Sequence, residues 1–350
     1  MIAGERQGTA NMNVVVDAMG SDTHPEPEIR GSIKAARQFG NPIFLVGDAD
    51  IISPQLKEIG ANHLIKILHA PETLKMTDKP AENARRKAQN SMAIAMELIK
   101  SGQADAFVTA GNTGGAMANA LFHLGRIRGV KRPALTALFP VRNGYCVVAD
   151  IGANAECKPE YLLQFALMGS VYAEKVLSVS RPRVGLLSNG EEPGKGNDLV
   201  KSTYPLLEAS GLNFIGNVEG KELFGGQADV VVTDGFTGNV LLKSSEAVAK
   251  FIIDIIRQEL TQSVRTKIGA LLAKSAFEKL KQMLDPAEVG AAPLLGINGL
   301  VFVGHGRSDA RAIYNGIRVA RQAVQADLLA SLRSSIQDKL SLGVLSGDIT

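Results

Sequence analysis

The chain has few aromatic residues, no large excess of positive or negative charge, and no long apolar run. Its 350 residues include no tryptophan and only 5 tyrosines, so few aromatic faces are available for stacking on nucleic-acid bases. The 38 basic and 35 acidic residues leave a formal net charge of +3, well short of the basic excess of a nucleic-acid binder. No apolar run approaches the roughly 18–20 residues of a membrane-spanning helix. We therefore expect a cytoplasmic protein with no nucleic-acid partner.

Cysteine is also scarce, with only Cys146 and Cys157 and no Cys/His metal spacing. Cys146 lies in an apolar run and is most simply a small core residue. This usage is typical of a reduced cytosol, where we expect no disulfide. The first residues lack the apolar centre of a secretory signal, so we treat residues 1–11 as an N-terminal extension before Met12.

The usual nucleotide-binding fingerprints are missing. After Gly304 and Gly306, Asp309 stands where the third glycine of a dinucleotide motif belongs. The loop at 190–196 is one residue short of a Walker A motif and has Gly196 where Ser or Thr would bind magnesium. No Ser or Cys lies in a nucleophile elbow of the G-x-S-x-G type. We therefore expect no cofactor, no metal and no covalent nucleophile.

What the chain does have is a repeated pattern of a short apolar run followed by a loop of Gly, Asn, Asp, Ser and Thr. The pattern occurs at residues 14–22, 107–115, 147–156, 185–196, 230–239 and 301–310. Each copy is typical of a buried strand ending in a loop, where glycines let the backbone approach a ligand closely. Since parallel strands end at one edge of an open α/β sheet, we expect the six loops to form one polar, anion-binding active site.

Strand-like and helical patterns alternate along most of the chain, which is typical of a parallel sheet covered by helices on both faces. Strands are predicted at 13–17, 43–46, 65–69, 106–110, 135–139, 145–151, 183–188, 229–233 and 300–304. Helices are predicted at 27–39, 80–101, 113–125, 158–178, 197–210 and 306–333. We expect a three-layer α/β/α fold with a mainly parallel sheet, in a single domain at 12–336 before a flexible tail at 337–350.

Residues 245–284 break this alternation, because they carry no strand signal. Apolar side chains keep helical spacing from Val248 to Leu260, and a second apolar stripe runs from Ile268 to Met283 beside a basic polar face. The pattern predicts a helical hairpin that packs on the core or on a dimer partner. The alternative is an interfacial element whose apolar tip touches anionic lipid, and the two can coexist.

Two loops offer candidate anion sites. Gly111 and Gly114 flank a predicted helix start, where free N–H groups and the helix dipole favour an anion, although Asn112 or Thr113 could simply cap that helix. Lys195 lies in the other loop, either beside amides that bind an anion or as a solvated lysine.

Four titratable residues also follow strands. His305 lies between glycines, where a histidine can act as an acid, a base or a hydrogen-bond donor. Asp17, Asp150 and Asp234 lack the spacing of metal ligands, so loop capping is the favoured interpretation.

With these loops in place, the chain resembles the PlsX family of acyl-ACP:phosphate acyltransferases. The motifs that carry the resemblance include DAMGSD at 17–22, AGNTGGAMA at 110–118, DIGANAECKPE at 150–160, LSNGEEPGKGN at 187–197, DGFTGNV at 234–240 and HGRSDARAI at 305–313. The match runs from about Met12 to about Ile336. It departs from the family pattern mildly, at Ser21, Gly115 and Ala291, and none of these changes removes a charged or amide side chain.

The resemblance implies transfer of a long fatty acyl group from acyl carrier protein to inorganic phosphate. The acyl phosphate formed would feed phospholipid synthesis through a membrane glycerol-3-phosphate acyltransferase. It also implies a Rossmann-like fold similar to the isocitrate/isopropylmalate dehydrogenases and phosphate acetyltransferases, a homodimer, and peripheral membrane association, for which residues 245–284 are the candidate contact.

This chemistry suggests roles for the loop residues, which we state as hypotheses. Phosphate would be held by Lys195, Gly111, Thr113, Gly114 and Asn154. Catalytic hydrogen bonds to the thioester, the oxyanion or the thiolate would come from His305, Asn112 and Asn239. The acyl cleft would involve Asp17, Met19, Gly20, Asp234, Thr237 and Gly238.

Two alternative functions remain open from the sequence. One is a phosphate acyltransferase that uses short-chain acyl-CoA, and the other is a non-catalytic, membrane-bound scaffold of lipid synthesis. For an acidic carrier protein, a candidate docking surface is the basic cluster of Arg126, Arg128, Lys131 and Arg132, which could equally be a solvated loop.

Overall fold

The computed structural model describes residues 12–60, 63–142 and 144–341. The predicted N-terminal extension at 1–11 therefore lies outside the described residues. Residues 342–350 of the predicted tail lie outside them as well.

Strands and helices alternate as the patterns indicate. The strands are β1 (Val14–Asp17), β2 (Ile43–Gly47), β3 (Ile65–His69), β4 (Ala106–Thr109), β5 (Ala134–Val141), β6 (Gly144–Ala149), β7 (Arg183–Leu187), β8 (Asn213–Val218), β9 (Val230–Val232), β10 (Ala292–Leu295) and β11 (Leu300–Val303). The first helices are α1 (Glu26–Phe39), α2 (Ala49–Ile59), α3 (Pro80–Arg86), α4 (Ser91–Lys100), α5 (Thr113–His123), α6 (Pro159–Lys175) and α7 (Asp198–Glu208). The remaining helices are α8 (Gly220–Gly225), α9 (Gly235–Thr261), α10 (Val264–Leu272), α11 (Lys274–Leu284), α12 (Pro286–Val289), α13 (Ala310–Gln325) and α14 (Leu328–Ser341).

The chain divides into two compact units. Among the described residues, unit 1 contains residues 12–125 and Ile297–Leu329, and unit 2 contains Arg126–Gly296 and residues 330–341. The predicted domain boundaries stay a prediction.

Unit 1 is built on five parallel strands in the order β3-β2-β1-β4-β11. All four residues of β1, β4 and β11 are buried, as expected for parallel strands covered by helices. This arrangement brings the ends of β1, β4 and β11 side by side.

Unit 2 follows the order β10-β5-β6-β9-β7-β8. Its strands β6, β9, β7 and β8 are parallel, and β5 runs antiparallel to both β6 and β10. The predicted α/β fold with a mainly parallel sheet and flanking helices is confirmed. All six glycine-rich loops lead directly toward a helix, namely α1, α5, α6, α7, α9 and α13.

Several elements differ from the prediction for local reasons. The sequence patterns missed α2, α8, α12, β8 and β10. β8 carries Gly216 at φ +95° beside a shift in the strand register, and β10 has only four residues, one of them Pro293. The helix predicted at 80–101 is two helices, because Asn90 caps α4 by accepting a hydrogen bond from the Ala93 N–H at 3.0 Å. The helix predicted at 306–333 divides near Asp327, which has φ +50°.

The last described helix, α14, continues to Ser341 and so enters the segment predicted to be a flexible tail. Ile336 is buried, and the Lys339 Nζ donates to the Ser210 carbonyl at 2.6 Å. These contacts account for the continuation of the helix.

The helices α9, α10 and α11 occupy the segment predicted as a helical hairpin. Among the described residues, none of α9 beyond Gly238 and none of α10 is buried. Several apolar side chains are consequently exposed, with Leu272 at 82% and Phe251 at 64%. No helix in the described part of the chain combines the length and hydropathy needed to cross a membrane.

Candidate active site

Three of the six glycine-rich loops meet in unit 1. They follow β1, β4 and β11, whose neighbouring parallel strands end at one edge. The Asp22 N–H donates to the Gly306 carbonyl at 2.7 Å. A Cβ built on Gly20 would lie only 2.8 Å from the Gly111 nitrogen, so glycine is needed for this close approach. We call these three loops the unit 1 cluster: residues 17–22, 110–115 and 305–308.

Beneath the unit 1 cluster, Asp17 organises two of its loops. The carboxylate accepts from the Met19 N–H at 3.1 Å and from the Thr109 hydroxyl at 2.8 Å, and that hydroxyl accepts in turn from the Gly111 N–H at 2.9 Å. Asp17 is only 1% exposed, and burial raises the pKa of its carboxyl group. Met19 is also buried, close to Gly47. Asp17 and Met19 therefore support the loop from below, and their predicted place in the acyl cleft stays a prediction.

Asn112 caps α5 and also forms hydrogen bonds to the neighbouring segment at residues 75–78. Its side-chain oxygen accepts from the Gly115 N–H at 2.9 Å, which caps α5. Its Nδ2 lies within hydrogen-bond distance of the carbonyls of Lys75, Met76 and Asp78, at 3.1–3.3 Å. The predicted catalytic amide is thus used to hold the 75–78 segment.

That segment joins the unit 1 cluster and was missed by the sequence analysis. A Cβ on Gly306 would lie 2.7 Å from Met76 Cε, and one on Gly114 would lie 2.5 Å from Pro80 Cγ. Lys87 Nζ lies 2.7 Å from the Asp78 carboxylate and thereby lowers its pKa. The only sequence signal for this contact is a proline at a helix start, which says nothing about tertiary position.

The start of α5 suits an anion better than the start of α9 or α13. Its cap, Asn112, is neutral, whereas α9 and α13 are capped by the carboxylates of Asp234 and Asp309. Among the described residues, the N–H groups of Thr113 and Gly114 have no hydrogen-bond acceptor. These donors at the positive end of a helix dipole form a ready anion site.

His305 is exposed on the loop after β11, and this strand pairs with β4, whose loop leads into α5. Its Nδ1 accepts from the Arg307 N–H at 3.2 Å, and its carbonyl accepts from the Ser308 hydroxyl at 2.6 Å. Since Nδ1 accepts, the neutral ring carries its proton on Nε2 and can donate from there.

In unit 2, Asp150 takes the place below the loop that Asp17 takes in unit 1. It is fully buried, and burial raises the pKa of its carboxyl group. Its oxygens accept from the N–H groups of Leu135, Gly152, Ala153 and Asn154 and from the Asn154 side chain, at 2.7–3.1 Å. The carboxylate thus fixes the course of the 150–154 loop, which agrees with the favoured capping role.

The loops after β6 and β9 interlock above this carboxylate. The Gly235 N–H donates to the Asn154 carbonyl at 2.8 Å, and the Asn239 amide donates to the Ile151 carbonyl at 3.0 Å. A Cβ on Gly238 would overlap the Asp150 carbonyl oxygen. We call these two loops the unit 2 cluster: residues 150–154 and 234–239.

The amide and hydroxyl groups predicted in the unit 2 cluster are largely engaged by the protein itself. The Asn154 amide donates to the Pro133 carbonyl at 2.7 Å. Asp234 caps α9 by accepting from both the backbone N–H and the hydroxyl of Thr237 at 2.8 Å. These contacts hold the loops, and the predicted contacts of these residues with substrate stay a prediction.

Lys195 lies in the loop between β7 and α7. The Asn217 amide donates to the Glu192 carbonyl at 2.9 Å, and Lys221 lies 2.7 Å from Glu191, which fixes the loop. Lys195 itself is exposed, and α7 begins three residues later, behind the neutral cap Asn197. The loop therefore presents a cation beside a helix start without a capping carboxylate.

The remaining polar groups offer no nucleophile or metal site of the usual kind. Burial raises the pKa of Cys146 and of Cys157 to about 12, so both remain thiols at neutral pH. Within residues 12–60, 63–142 and 144–341, no three His, Cys, Asp or Glu side chains are grouped as metal ligands.

Comparison with known proteins agrees with this architecture. A solved phosphotransacetylase from Streptococcus pyogenes has the same fold, with a TM-score of 0.58 and 17% sequence identity over 90% of this chain and 94% of that one. Curated relatives are named phosphate acyltransferase. The one from Pelotomaculum thermopropionicum is 47% identical over 93% of this chain and 95% of its own length. The Acidobacterium capsulatum relative is 47% identical over 92% of this chain and 96% of its own. The family described as fatty acid synthesis protein matches residues 12–331. The chain therefore belongs to that family, and its resemblance to the PlsX phosphate acyltransferases is confirmed.

Proposed function

We propose that this protein transfers a long-chain fatty acyl group from acyl carrier protein to inorganic phosphate. The observation that carries the proposal is the start of α5, where Thr113 and Gly114 present N–H groups behind a neutral cap. Relatives at 47% identity named phosphate acyltransferase support the same reaction class.

The reaction needs few catalytic groups. A phosphate oxygen attacks the thioester carbonyl carbon, a carbon–oxygen bond forms, the carbon–sulfur bond breaks, and the carrier thiol departs with a proton from the medium. Phosphate is already an anionic nucleophile, and a thiolate with a parent pKa of about 8.5 leaves readily. Alignment and donors to the oxyanion therefore account for most of the catalysis, and each donor contributes about 2.7–4 kcal/mol.

Within unit 1, the N–H groups of Thr113 and Gly114 bind phosphate, and the His305 Nε2–H donates to the oxyanion or the departing sulfur. Gly111, whose N–H donates to the Thr109 hydroxyl, shapes the loop before them. In unit 2, Lys195 with the start of α7 forms a second anion-binding loop. Asn112, Asn154 and Asn239 keep the loops in shape through their contacts with backbone carbonyls.

Acyl transfer is tested with purified protein, phosphate and either palmitoyl-carrier protein or acetyl-CoA, with acyl phosphate trapped as hydroxamate. We expect hydroxamate only when phosphate is present, and preferentially from the long-chain carrier donor. Preferential use of acetyl-CoA would favour the short-chain alternative. Absence of product with every donor would favour the scaffold, for which the exposed α9–α11 surface is the supporting observation.

Two substitutions test the residue roles. Lys195→Met should raise the KM for phosphate about tenfold, since about 1.4 kcal/mol of binding is one factor of ten. The control Lys201→Met removes an exposed lysine of α7 and should leave this KM unchanged. His305→Gln should lower kcat about 100-fold, the usual scale for a positioned proton donor. An unchanged phosphate KM would remove Lys195 from the phosphate site, and an unchanged kcat would remove His305 from catalysis.

We further propose that α9–α11 mediate homodimer formation and contact the cytoplasmic membrane surface, where a glycerol-3-phosphate acyltransferase would use the acyl phosphate. Exposed apolar patches of this kind are typical of interaction sites. The tip residues Leu271 and Leu272 are 71% and 82% exposed, next to the basic residues Arg265 and Lys267.

The hairpin proposal is tested by flotation with anionic vesicles and by light scattering. Leu271→Glu/Leu272→Glu should abolish flotation and leave the dimer intact, whereas Phe251→Glu in α9 should weaken the dimer. Flotation that survives the tip variant would contradict a lipid-contacting tip. A monomeric wild-type protein would contradict the dimer.

A further inference from the structure

The outer faces of α1 and α13 form one continuous surface in unit 1. Both helices leave the unit 1 cluster, since α1 follows the 17–22 loop and α13 follows the 305–308 loop. They pack closely, because a Cβ on Gly31 would lie 2.7 Å from Ile313 Cβ. We call the solvent-facing side of this helix pair the α1–α13 surface. It extends directly from the candidate active site.

This surface concentrates positive charge in a chain whose overall charge is only +3. Its basic residues are Arg30, Lys34, Arg37, Arg311, Arg318 and Arg321. The sequence of α13 contains no acidic residue, and in α1 the only exposed carboxylate is Glu26, which lies 2.8 Å from Arg30. Among the described residues, no carboxylate forms an ion pair with Lys34, Arg37 or Arg321.

Two aromatic rings hold part of this charge in place. Phe39 from α1 stacks on Tyr314 from α13 with ring centroids 5.6 Å apart. Lys34 Nζ lies 4.4 Å from the Tyr314 centroid, and Arg321 Cζ lies 4.3 Å from the Phe39 centroid. Cation–π contacts of this kind position the cations without neutralising them. The charges are therefore preorganised for a partner that supplies carboxylates.

Beside this stack lies a concave feature that a flat bilayer would not fill. A cavity of about 460 Å³ is lined by Arg30, Ile33, Lys34, Arg37, Gln38 and Ile59. Three of these residues are cations and two are aliphatic, so the cavity suits an apolar side chain flanked by acidic ones. Along α1, Arg30 and Arg37 are about 10 Å apart at 1.5 Å per residue, which matches two turns of an acidic helix.

We propose that the α1–α13 surface docks an acidic protein, namely the carrier that delivers the acyl thioester to the unit 1 cluster. This identification of the partner rests on the proposed function. Electrostatic complementarity would steer the encounter, and the helix starts of α1 and α13 would bring the donor toward His305 and the start of α5. We favour the α1–α13 surface over the candidate loop cluster around Arg128 and Lys131 as the docking surface.

The test compares three double variants with equal charge change. Lys34→Glu/Arg37→Glu alters the α1–α13 surface, Arg128→Glu/Lys131→Glu alters the rival loop, and Lys175→Glu/Lys201→Glu alters exposed positions of α6 and α7 as a matched control. Binding of holo-acyl carrier protein is followed by fluorescence anisotropy at several salt concentrations. Turnover is measured with palmitoyl-carrier protein and with palmitoyl-CoA, which carries its acyl group without a protein.

We expect Lys34→Glu/Arg37→Glu to weaken carrier binding at least tenfold, to flatten its salt dependence and to raise the KM for palmitoyl-carrier protein. Its kcat/KM with palmitoyl-CoA should match the wild type, which also shows that the variant is folded. The other two variants should bind the carrier normally.

Unchanged carrier binding in Lys34→Glu/Arg37→Glu would overturn the proposal, as would a loss confined to the Arg128/Lys131 variant. Loss of anionic-vesicle binding with carrier binding intact would assign the surface to lipid and would also overturn it. Absence of acyl phosphate from either donor in the wild type would overturn the proposed function instead. Carrier binding that depends on Lys34 and Arg37 would then still support the docking surface.

Discussion

Asp17 in unit 1 and Asp150 in unit 2 occupy equivalent places, each at the end of a strand and beneath a glycine-rich loop. They differ in how their charge is compensated. Asp17 accepts from one backbone N–H and from the Thr109 hydroxyl, and the Ser91 hydroxyl also lowers its pKa. By contrast, Asp150 accepts from four backbone N–H groups and an amide side chain. A buried carboxylate is stable as a charge only when such donors replace water.

The loops above the two aspartates differ in how far the protein itself satisfies their polar groups, and again these groups are satisfied more fully in unit 2. In the unit 2 cluster, the glycine contacts and backbone hydrogen bonds are directed inward, and Asp234 places a carboxylate at the start of α9. In the unit 1 cluster, Asn112 leaves the start of α5 neutral and the N–H groups of two residues available. The comparison teaches that similar glycine-rich motifs can serve two purposes, which are rigid loop locking in the unit 2 cluster and, in the proposed function, anion binding in the unit 1 cluster.

The largest expected effect follows from the glycine contacts of the unit 2 cluster. Gly238→Ala places a methyl group onto the Asp150 carbonyl, so backbone must move. We expect a loss of about 3 kcal/mol of unfolding free energy, the upper end of typical overpacking. Gly20→Ala in the unit 1 cluster should cost less, about 1–2 kcal/mol, because its nearest atoms lie 2.8–3.1 Å away. Urea unfolding followed by circular dichroism measures both.

Gly269→Ala is the matched control for these substitutions. Gly269 lies in α10, and no atom lies within 4 Å of the position that a Cβ would take there. The substitution should stabilise the protein by up to about 1 kcal/mol through helix propensity. A Gly238→Ala variant as stable as this control would show that the unit 2 cluster is not rigidly locked.

The second effect tests the aspartates directly. Asp150→Asn keeps the shape but turns an NH₂ group toward N–H donors, so we expect a loss of about 2–3 kcal/mol. Asp17→Asn should cost about 1 kcal/mol or less, since the Thr109 hydroxyl can reverse its hydrogen bond and a poorly compensated charge is removed. Equal losses of unfolding free energy in the two variants, measured by urea unfolding, would contradict the difference in how the two carboxylate charges are compensated.

Much of the fold could be predicted from the sequence, because buried parallel strands such as β1 and β4 are short, continuous apolar runs bounded by glycine. β8 and β10 could not, because Gly216 interrupts one and the other is a four-residue strand containing Pro293. Both depend on tertiary pairing rather than on local pattern.

The candidate site was predictable only in part. The glycine-rich motifs located the residues, including Asn112 and Asp234, but not the direction in which each side chain donates. The contact of Asn112 with the carbonyls of residues 75–78 involves backbone acceptors, which leave no trace in residue type. The burial of Glu28 could not be predicted either, since an acidic residue in the first turn of a helix is usually exposed and interacts with the helix dipole.

Glu28 gives a smaller expected effect than Gly238 or Asp150 and extends the comparison to pH. The side chain is fully buried beneath the 17–22 loop, where it accepts from the Ser21 N–H at 2.9 Å, and burial raises its pKa from 4.5 to about 7. Between these values the folded chain holds a proton that the unfolded chain has released, so stability falls as pH rises through this window. On account of this residue, stability should fall between about pH 4.5 and pH 7 and should not fall further above that window.

Glu28→Gln removes the ionisable group and retains an oxygen acceptor for Ser21. At pH 8 we expect the variant to be about 1–2 kcal/mol more stable than the wild type, with little difference at pH 4, where the wild-type carboxyl is protonated in both states. Urea unfolding across this pH range measures the difference. Glu26→Gln is the control, because Glu26 is exposed and its ion pair with Arg30 contributes little. A wild-type-to-variant difference that does not change with pH would show that the donors around Glu28 compensate its charge, as those around Asp150 do in unit 2.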